Sequence, residues 1–327
     1  MAVSAFLYDA EGHDGPIALD QINLEAGDQT LLWVDLLAPS SDETARVAAS
    51  LQISQRCILH RPTTEEASIQ NFGDHLTFFL TLPSYHPLSA DHRSGHKGID
   101  MLGFVVGDGW LITSHEGDAP LLEQFKEKDR GETSIGALSS SALAASLIDW
   151  HLGLFFDAAN GIAAEVDTLD EHILRDTASK SLLGRIVMLR RKLSRVRAAL
   201  VVNRPVFYGL SRVDCLIVAK SDAADHYALL SSRFERALDE IERVRDLING
   251  SFDLFASRSG LQTNNLVKAL TVVTAVLGYF GAVAGLMGMN LKSTLFNGGD
   301  RTFAVIVITL SITSAAAIIF ARRRKWL

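Results

Sequence analysis

Two uncharged apolar runs near the end of the chain, residues 269–289 and 302–321, restrict its architecture more than any other feature. About 20 residues at roughly 1.5 Å per residue match a hydrocarbon core of about 30 Å, so each run is long enough to cross a bilayer as a helix. A buried core helix of a soluble enzyme is the competing reading of one such run. Two in tandem, separated by only a short loop, argue against it. The opening residues MAVSAFLYDAEG lack the basic, apolar and small-residue regions of a cleaved leader, so no processed segment is expected.

The flanks set an orientation. Arg322, Arg323, Arg324 and Lys325 follow the second run directly, and such a basic cluster is retained in the cytoplasm. Two spans return the chain to its starting side. The residues before the first span are therefore expected in the cytoplasm with the tail, and residues 291–301 outside. All but six of the 31 Lys and Arg, and all but one of the 38 Asp and Glu, precede residue 291, so that part is about twelve charges negative. Such a field repels nucleic acid and attracts cations, although it also serves simple solubility. Cys57 and Cys215 are too few and too far apart for a zinc site or a disulfide framework.

Ahead of the spans the pattern changes once. Short apolar segments at 31–36, 75–82, 101–106 and 110–114 read as strands, the last two joined by a turn at Gly107-Asp108-Gly109. Ser40 is placed to cap a helix over 42–51. From about Ser139 the period becomes helical. Ile162, Val166, Leu169 and Ile173 recur at helical spacing, as do Leu183, Ile186, Leu189, Leu193 and Val196, up to a break around Asn203-Arg204-Pro205. No proline follows Asp225, so one helix of about 65 residues, or roughly 100 Å, is expected to run from there through the first span, with Gly250 and Gly260 as its weak points.

The fold class expected is an α+β cytoplasmic domain followed by long helices and two C-terminal transmembrane helices. Its boundaries are 1–135 for the α/β domain, 136–268 for a stalk of long helices and 269–290 for the first transmembrane helix. The external loop takes 291–301, the second transmembrane helix 302–321, and the basic cytoplasmic tail 322–327.

On the first span Thr271, Thr274, Gly278, Gly281 and Gly285 lie at steps of three and four, a stripe of small or hydroxyl-bearing side chains. Taken alone it favours close helix packing over a pore. Two spans cannot enclose a polar pathway by themselves, so a pore would need several copies.

Gly288-Met289-Asn290 ends the first run, the second run follows shortly after, and the basic tail closes with Lys325-Trp326-Leu327. This arrangement resembles the CorA family of divalent metal ion transporters, which includes the zinc-transporting ZntB branch. Asn264, Lys268 and Thr271 resemble the family's Asn-x-x-x-Lys-x-x-Thr approach to the membrane. Leu189-Arg190-Arg191-Lys192-Leu193 with Arg197 resembles its helical arm, and Trp33-Val34-Asp35-Leu36 and Leu111-Ile112-Thr113 resemble its cytoplasmic strands.

The resemblance implies a homopentamer with a cytoplasmic funnel, in which first spans line the pore and second spans form an outer ring. It implies a ring of Asn290 carboxamides that accept hydrogen bonds from the waters of a hydrated cation, with Gly288 turning the backbone and Met289 packing behind the ring. That chemistry suits magnesium, which holds its waters tightly. Thr271, Thr274, Gly278, Gly281 and Gly285 then become pore-lining, Asp253 a candidate ligand of a regulatory cation between subunits, and Arg322, Arg323, Arg324 and Lys325 a ring near the gate. The implied cargo is magnesium or cobalt, with nickel and zinc as further candidates and no cofactor. The implied partners are further copies of the chain and membrane lipid, in a plasma or inner membrane with both termini cytoplasmic.

Three departures bear on the cargo. Met287 stands where many members carry an aromatic residue, Tyr279 stands where the first span usually has a proline, and Lys292 and Arg301 outnumber Asp300 in the outer loop. A straighter pore helix follows from the second, and weaker attraction of magnesium from the third. His86, His92 and His96 with Asp91 form a loose cluster that would favour proton-coupled zinc uptake of the ZntB kind. No phosphate loop, dinucleotide fingerprint, His-Glu-x-x-His or nucleophile elbow is present, so no enzyme is expected. A membrane-anchored sensor or scaffold is the rival of another class, and it has no use for an Asn at a pore mouth.

Overall fold

The computed structural model of the 327-residue chain describes residues 3–9, 15–18, 30–59, 69–83, 101–117, 119, 122, 125, 138–175, 180–212, 223–289 and 299–324. Asn290, Lys292, Lys325, Cys215 and the cluster of Asp91, His86, His92 and His96 lie outside the described residues. The chain divides into two compact units, Met1–Asp167 with Val187–Asn249, and Thr168–Ile186 with Gly250–Leu327.

The first unit contains a seven-stranded sheet in the order β2-β1-β3-β7-β6-β5-β4. Its strands are β1 Val3–Asp9, β2 Gly15–Pro16, β3 Thr30–Leu37, β4 Ile69–Asn71, β5 His75–Thr81, β6 Met101–Gly107 and β7 Trp110–His115. All neighbours are antiparallel except β3 and β7, which run parallel with Val34 opposite Ile112 and Asp35 opposite Thr113. The β6–β7 turn falls at the expected Gly107-Asp108-Gly109, where Gly109 takes φ 74°, a conformation that favours glycine.

Alternation along β3 explains why an uninterrupted apolar run makes a strand. Leu32, Val34 and Leu36 join Val47 and Ala48 of the helix α1, Ser41–Ser50, its C-cap Leu51, and Ile58 of α2, Gln55–Leu59, in one buried cluster. Trp33 points to the other face, where its indole meets Phe125 edge-on. With both faces covered, an inner strand has no solvent side on which polar residues would be favoured. Ser40 caps α1 as its sequence suggests. Its hydroxyl accepts from the Glu43 amide at 3.3 Å, and the Glu43 carboxylate accepts from the Ser40 amide at 2.8 Å.

Helices α3 Ser140–Arg175, α4 Lys180–Val202, α5 Arg204–Leu210, α6 Ala224–Gly288 and α7 Gly299–Arg323 follow. Ile162, Val166, Leu169 and Ile173 are all buried on α3, and Ile186, Leu189, Leu193 and Val196 on α4. Among the described residues α3, α6 and α7 are long and apolar enough to cross a membrane. In α3, 61% of the most apolar stretch is buried in the protein, whereas only 6% is buried in α6 and in α7. The apolar surface of α3 is thus mostly covered by its own chain, as in a core helix, while that of α6 and α7 is bare.

The break at Asn203 has a further purpose. Asn203 is fully buried, its side-chain oxygen accepts from the Thr81 amide at 2.7 Å and its amide donates to the Thr81 carbonyl at 3.0 Å. That carbonyl also lies 2.8 Å from His151 Nε2. The end of β5, the middle of α3 and the α4–α5 joint therefore meet at one backbone group, and Pro205 in the first turn of α5 suits a helix start there.

Candidate functional site

The second unit carries the two apolar helices. Helix α6 continues without interruption through Gly250, Gly260 and Gly278 to Gly288, as expected of a span that lacks proline. Thr271, Thr274, Gly278, Gly281 and Gly285 are all exposed along it. A Cβ built on Gly278, Gly281, Gly285 or Gly288 would meet nothing within 4 Å. The Thr271 hydroxyl turns back to the Val267 carbonyl at 2.8 Å, which satisfies it within its own helix.

The face of α6 that meets α7 is a different one. Val272, Val276, Val283 and Met287 are the half-buried positions, spaced by four, seven and four residues. A groove of about 480 Å³ lies between the helices, lined by Phe280, Val283 and Met287 on one side and by Phe303, Ile306 and Leu310 on the other. At roughly 100° per residue the small-residue stripe sits about half a turn away from the half-buried line. Packing against α7 therefore does not account for the stripe, which stays open. Tyr279, whose place in a span without proline implies a straighter helix, has its hydroxyl 3.4 Å from Thr313 of α7.

Around the ends of these helices the charged residues fall as follows. Arg322 and Arg323 occupy the last turn of α7, where cations are favoured by the helix dipole, and the Arg324 guanidinium stands 5.6 Å over the Phe320 ring. Asp253 is exposed on α6. Five residues on, Arg258 donates to the Leu174 carbonyl at 2.7 Å and so caps the end of α3 within the same unit. Met289 is exposed after the last turn of α6. Among the described residues no group of three or more His, Cys, Asp or Glu side chains is arranged to hold a metal ion.

The stripe is legible in its three-and-four spacing, whereas the half-buried line of Val272, Val276, Val283 and Met287 is not. Its spacing is equally regular. On a helix apolar all round, however, nothing in the residue types tells which apolar line meets a helix of the same chain.

A family model described as CorA-like Mg2+ transporter protein matches residues 28–324. The chain is 21% identical over 324 residues to the cobalt/magnesium transport protein CorA of Methanocaldococcus jannaschii, covering 96% of this chain and 97% of that one. The complete structure of the CorA magnesium transporter from that organism superposes with a TM-score of 0.72 at 17% identity, covering 99% of this chain and 98% of that one. Similarity to the cobalt/magnesium transport protein CorA of Thermotoga maritima is 24% over 182 residues, 56% of this chain and about half, 51%, of that protein's length. The divalent cation transporter CmaX of Pseudomonas aeruginosa is 26% identical over 171 residues, 51% of this chain and 50% of its own. A structure of the full-length CmaX protein superposes with a TM-score of 0.68 at 18% identity, covering 98% of this chain and 97% of that one.

Proposed function

The chain belongs to the family of CorA-like Mg2+ transporter proteins, and from that premise we propose that it carries divalent metal cations, magnesium and cobalt foremost, across a membrane. The observation that carries the reading is the open face of α6, with Thr271, Thr274, Gly278, Gly281 and Gly285 turned away from α7. A lone helix pair gains nothing from leaving such a face bare. Five copies that bring these faces together around an axis make a narrow, weakly polar path bounded by backbone and hydroxyl groups, with α7 on the outside.

In this assembly Asn290 forms the ring at the outer mouth, with Gly288 freeing the backbone turn and Met289 packing beside it. A carboxamide oxygen accepts hydrogen bonds from the waters of a hydrated cation, so selection precedes dehydration. Arg322, Arg323, Arg324 and Lys325 hold the other end at the cytoplasmic surface and fix two spans across a plasma membrane with both termini on its cytoplasmic side. The cation is cargo, and no covalent bond of any substrate is made or broken.

Uptake of magnesium, cobalt, nickel and zinc into proteoliposomes holding the purified protein, with and without a proton gradient, tests this. Magnesium and cobalt are expected to enter down the voltage. Asn290→Ala is expected to slow them about 10-fold, the equivalent of one net hydrogen bond of about 1.4 kcal/mol. Zinc uptake driven by the proton gradient would replace this reading with the ZntB-like one, and no flux of any cation would leave a sensor or scaffold.

Asp253 is assigned the role of binding a closing cation between neighbouring copies, since it is an exposed carboxylate on the helix that leads to the pathway. Asp253→Ala is expected to leave uptake intact while removing its inhibition by millimolar magnesium on the cytoplasmic side. Inhibition unchanged in the variant would take Asp253 out of regulation.

A further inference from the structure

Helix α4 carries seven basic residues and no acidic one, in a chain whose net charge is −7. Its compensating carboxylates come from its neighbours in the first unit. Lys192 Nζ lies 2.6 Å from Glu165 of α3, and Arg197 Nε 2.7 Å from Glu242 of α6. Glu242 also receives Arg245 of α6 at 2.5 Å, so one carboxylate is shared by two guanidinium groups.

Beside this shared carboxylate a cavity of about 180 Å³ is lined by Arg190, Ser194 and Arg197 of α4 and by Arg245 and Asn249 of α6. Leu193, Ile241 and Ile248 form its apolar floor. Among the described residues no carboxylate lies within ion-pair distance of Arg190. Three arginines thus line one cavity; Arg197 and Arg245 share Glu242, Arg245 also lies 3.7 Å from the exposed Asp246, and Arg190 has neither, with an amide and a hydroxyl as additional hydrogen-bonding groups. Like charges gathered in this way repel one another unless an anion lies between them.

We propose that this cavity is a binding site for a multiply charged phosphate, of the size of inorganic phosphate or pyrophosphate. Arginine's planar fork matches phosphate oxygens two at a time, and three such forks from two helices suit an anion with several equivalent oxygens. The volume lies below the roughly 300 Å³ at which pockets for drug-sized ligands begin, and no aromatic ring lines the cavity to stack a base. Recognition is therefore of the phosphate itself, whether free or at the end of a nucleotide. Such an anion competes with Glu242 for Arg197 and Arg245 and engages Arg190, so it ties α4 to α6. The site does not depend on the cation pathway, and its occupancy by a cytoplasmic phosphate would report metabolic state to the helix that continues into the first span.

Isothermal titration of the full chain in detergent with inorganic pyrophosphate, without divalent cations, tests the site. Binding is expected, with ATP binding within a few-fold as tightly. Arg190→Gln is expected to weaken both at least about 10-fold, the loss of one charge-assisted pair. Arg191→Gln, which removes the same charge from an exposed position outside the cavity, is expected to change affinity less than about two-fold, as for an exposed charge at a distance. Arg190 has no carboxylate to release, so its replacement leaves the α4–α6 pairs in place. Equal losses in the two variants would reduce the effect to diffuse charge and overturn the site. So would absence of pyrophosphate binding, or binding of ATP alone.

Discussion

Proteoliposomes holding Gly281→Phe protein are expected to take up magnesium about 100-fold more slowly than those holding the parent, a barrier increase of about 2.7 kcal/mol. A Cβ built on Gly281 meets nothing within 4 Å in its own chain, and the position is exposed, so a side chain can leave the helix there without striking its own backbone. In an exposed helix interior phenylalanine is, if anything, a better helix former than glycine, so α6 is not weakened either. In the proposed assembly the penalty arises only where copies converge. There each phenyl ring narrows a path that a hydrated divalent ion must traverse, and magnesium surrenders its waters reluctantly. Leu286→Phe is the control, because Leu286 is exposed on a different line of the same helix. Its uptake is expected to match the parent. Parent-like flux in Gly281→Phe would place the stripe outside the pathway, and a variant that runs as a monomer on sizing would mark the stripe as a packing surface instead.

How far the chain could be read before its structure was known depended on how local each signal is. The capping of α1 needs only Ser40 and Glu43, three residues apart, and it forms as written. The length of α6 follows from the lack of proline after Asp225, and Gly250 and Gly260 do not break it. Each costs about 1 kcal/mol relative to alanine, whereas Ile248 and Ser251 on either side of Gly250 are buried and held by tertiary packing. The edge strands β2 and β4, of two and three residues, left no period to detect, and β1 depends on its pairing with β3.

Long-range polar contacts were the least legible. Asn203 reads as a helix breaker from its neighbours Arg204 and Pro205. Its bonds to Thr81 span 122 positions, and nothing local reports them. The same holds for the buried chain in which Trp33 donates to Thr113 at 3.0 Å and Thr113 to Asp35 at 2.6 Å. Of the candidate site, the stripe needed only helical spacing, while the face left bare by α7 required the fold.

Acidification from pH 7 to below 4 is expected to remove about 3 kcal/mol of folding stability through one residue, His151. Its ring is fully buried in the first unit, edge-on to Phe155 at 5.2 Å, and Nε2 faces the Thr81 carbonyl at 2.8 Å. A nitrogen opposite a carbonyl must donate, so the proton of the neutral ring sits on Nε2. Nδ1 is buried with no hydrogen-bond partner among the described residues. Charging the ring would place a proton there in a dry environment. Burial accordingly lowers the pKa from 6.5 to about 4, with the bond to Thr81 opposing the shift only in part. Between these values the unfolded chain takes up a proton and the folded chain does not, so stability rises with pH in that window and is lost on the way down. Urea unfolding of the full chain in detergent, followed by tryptophan fluorescence at pH 7, 5.5 and 4, is to be compared with His151→Leu. The variant is expected to be less stable at pH 7, because the Thr81 carbonyl loses one of its two donors, yet to lose about 3 kcal/mol less than the parent between pH 7 and 4. Carboxylates that titrate in both proteins cancel in the comparison. Parallel profiles for the two would show that His151 exchanges no proton on unfolding in this range.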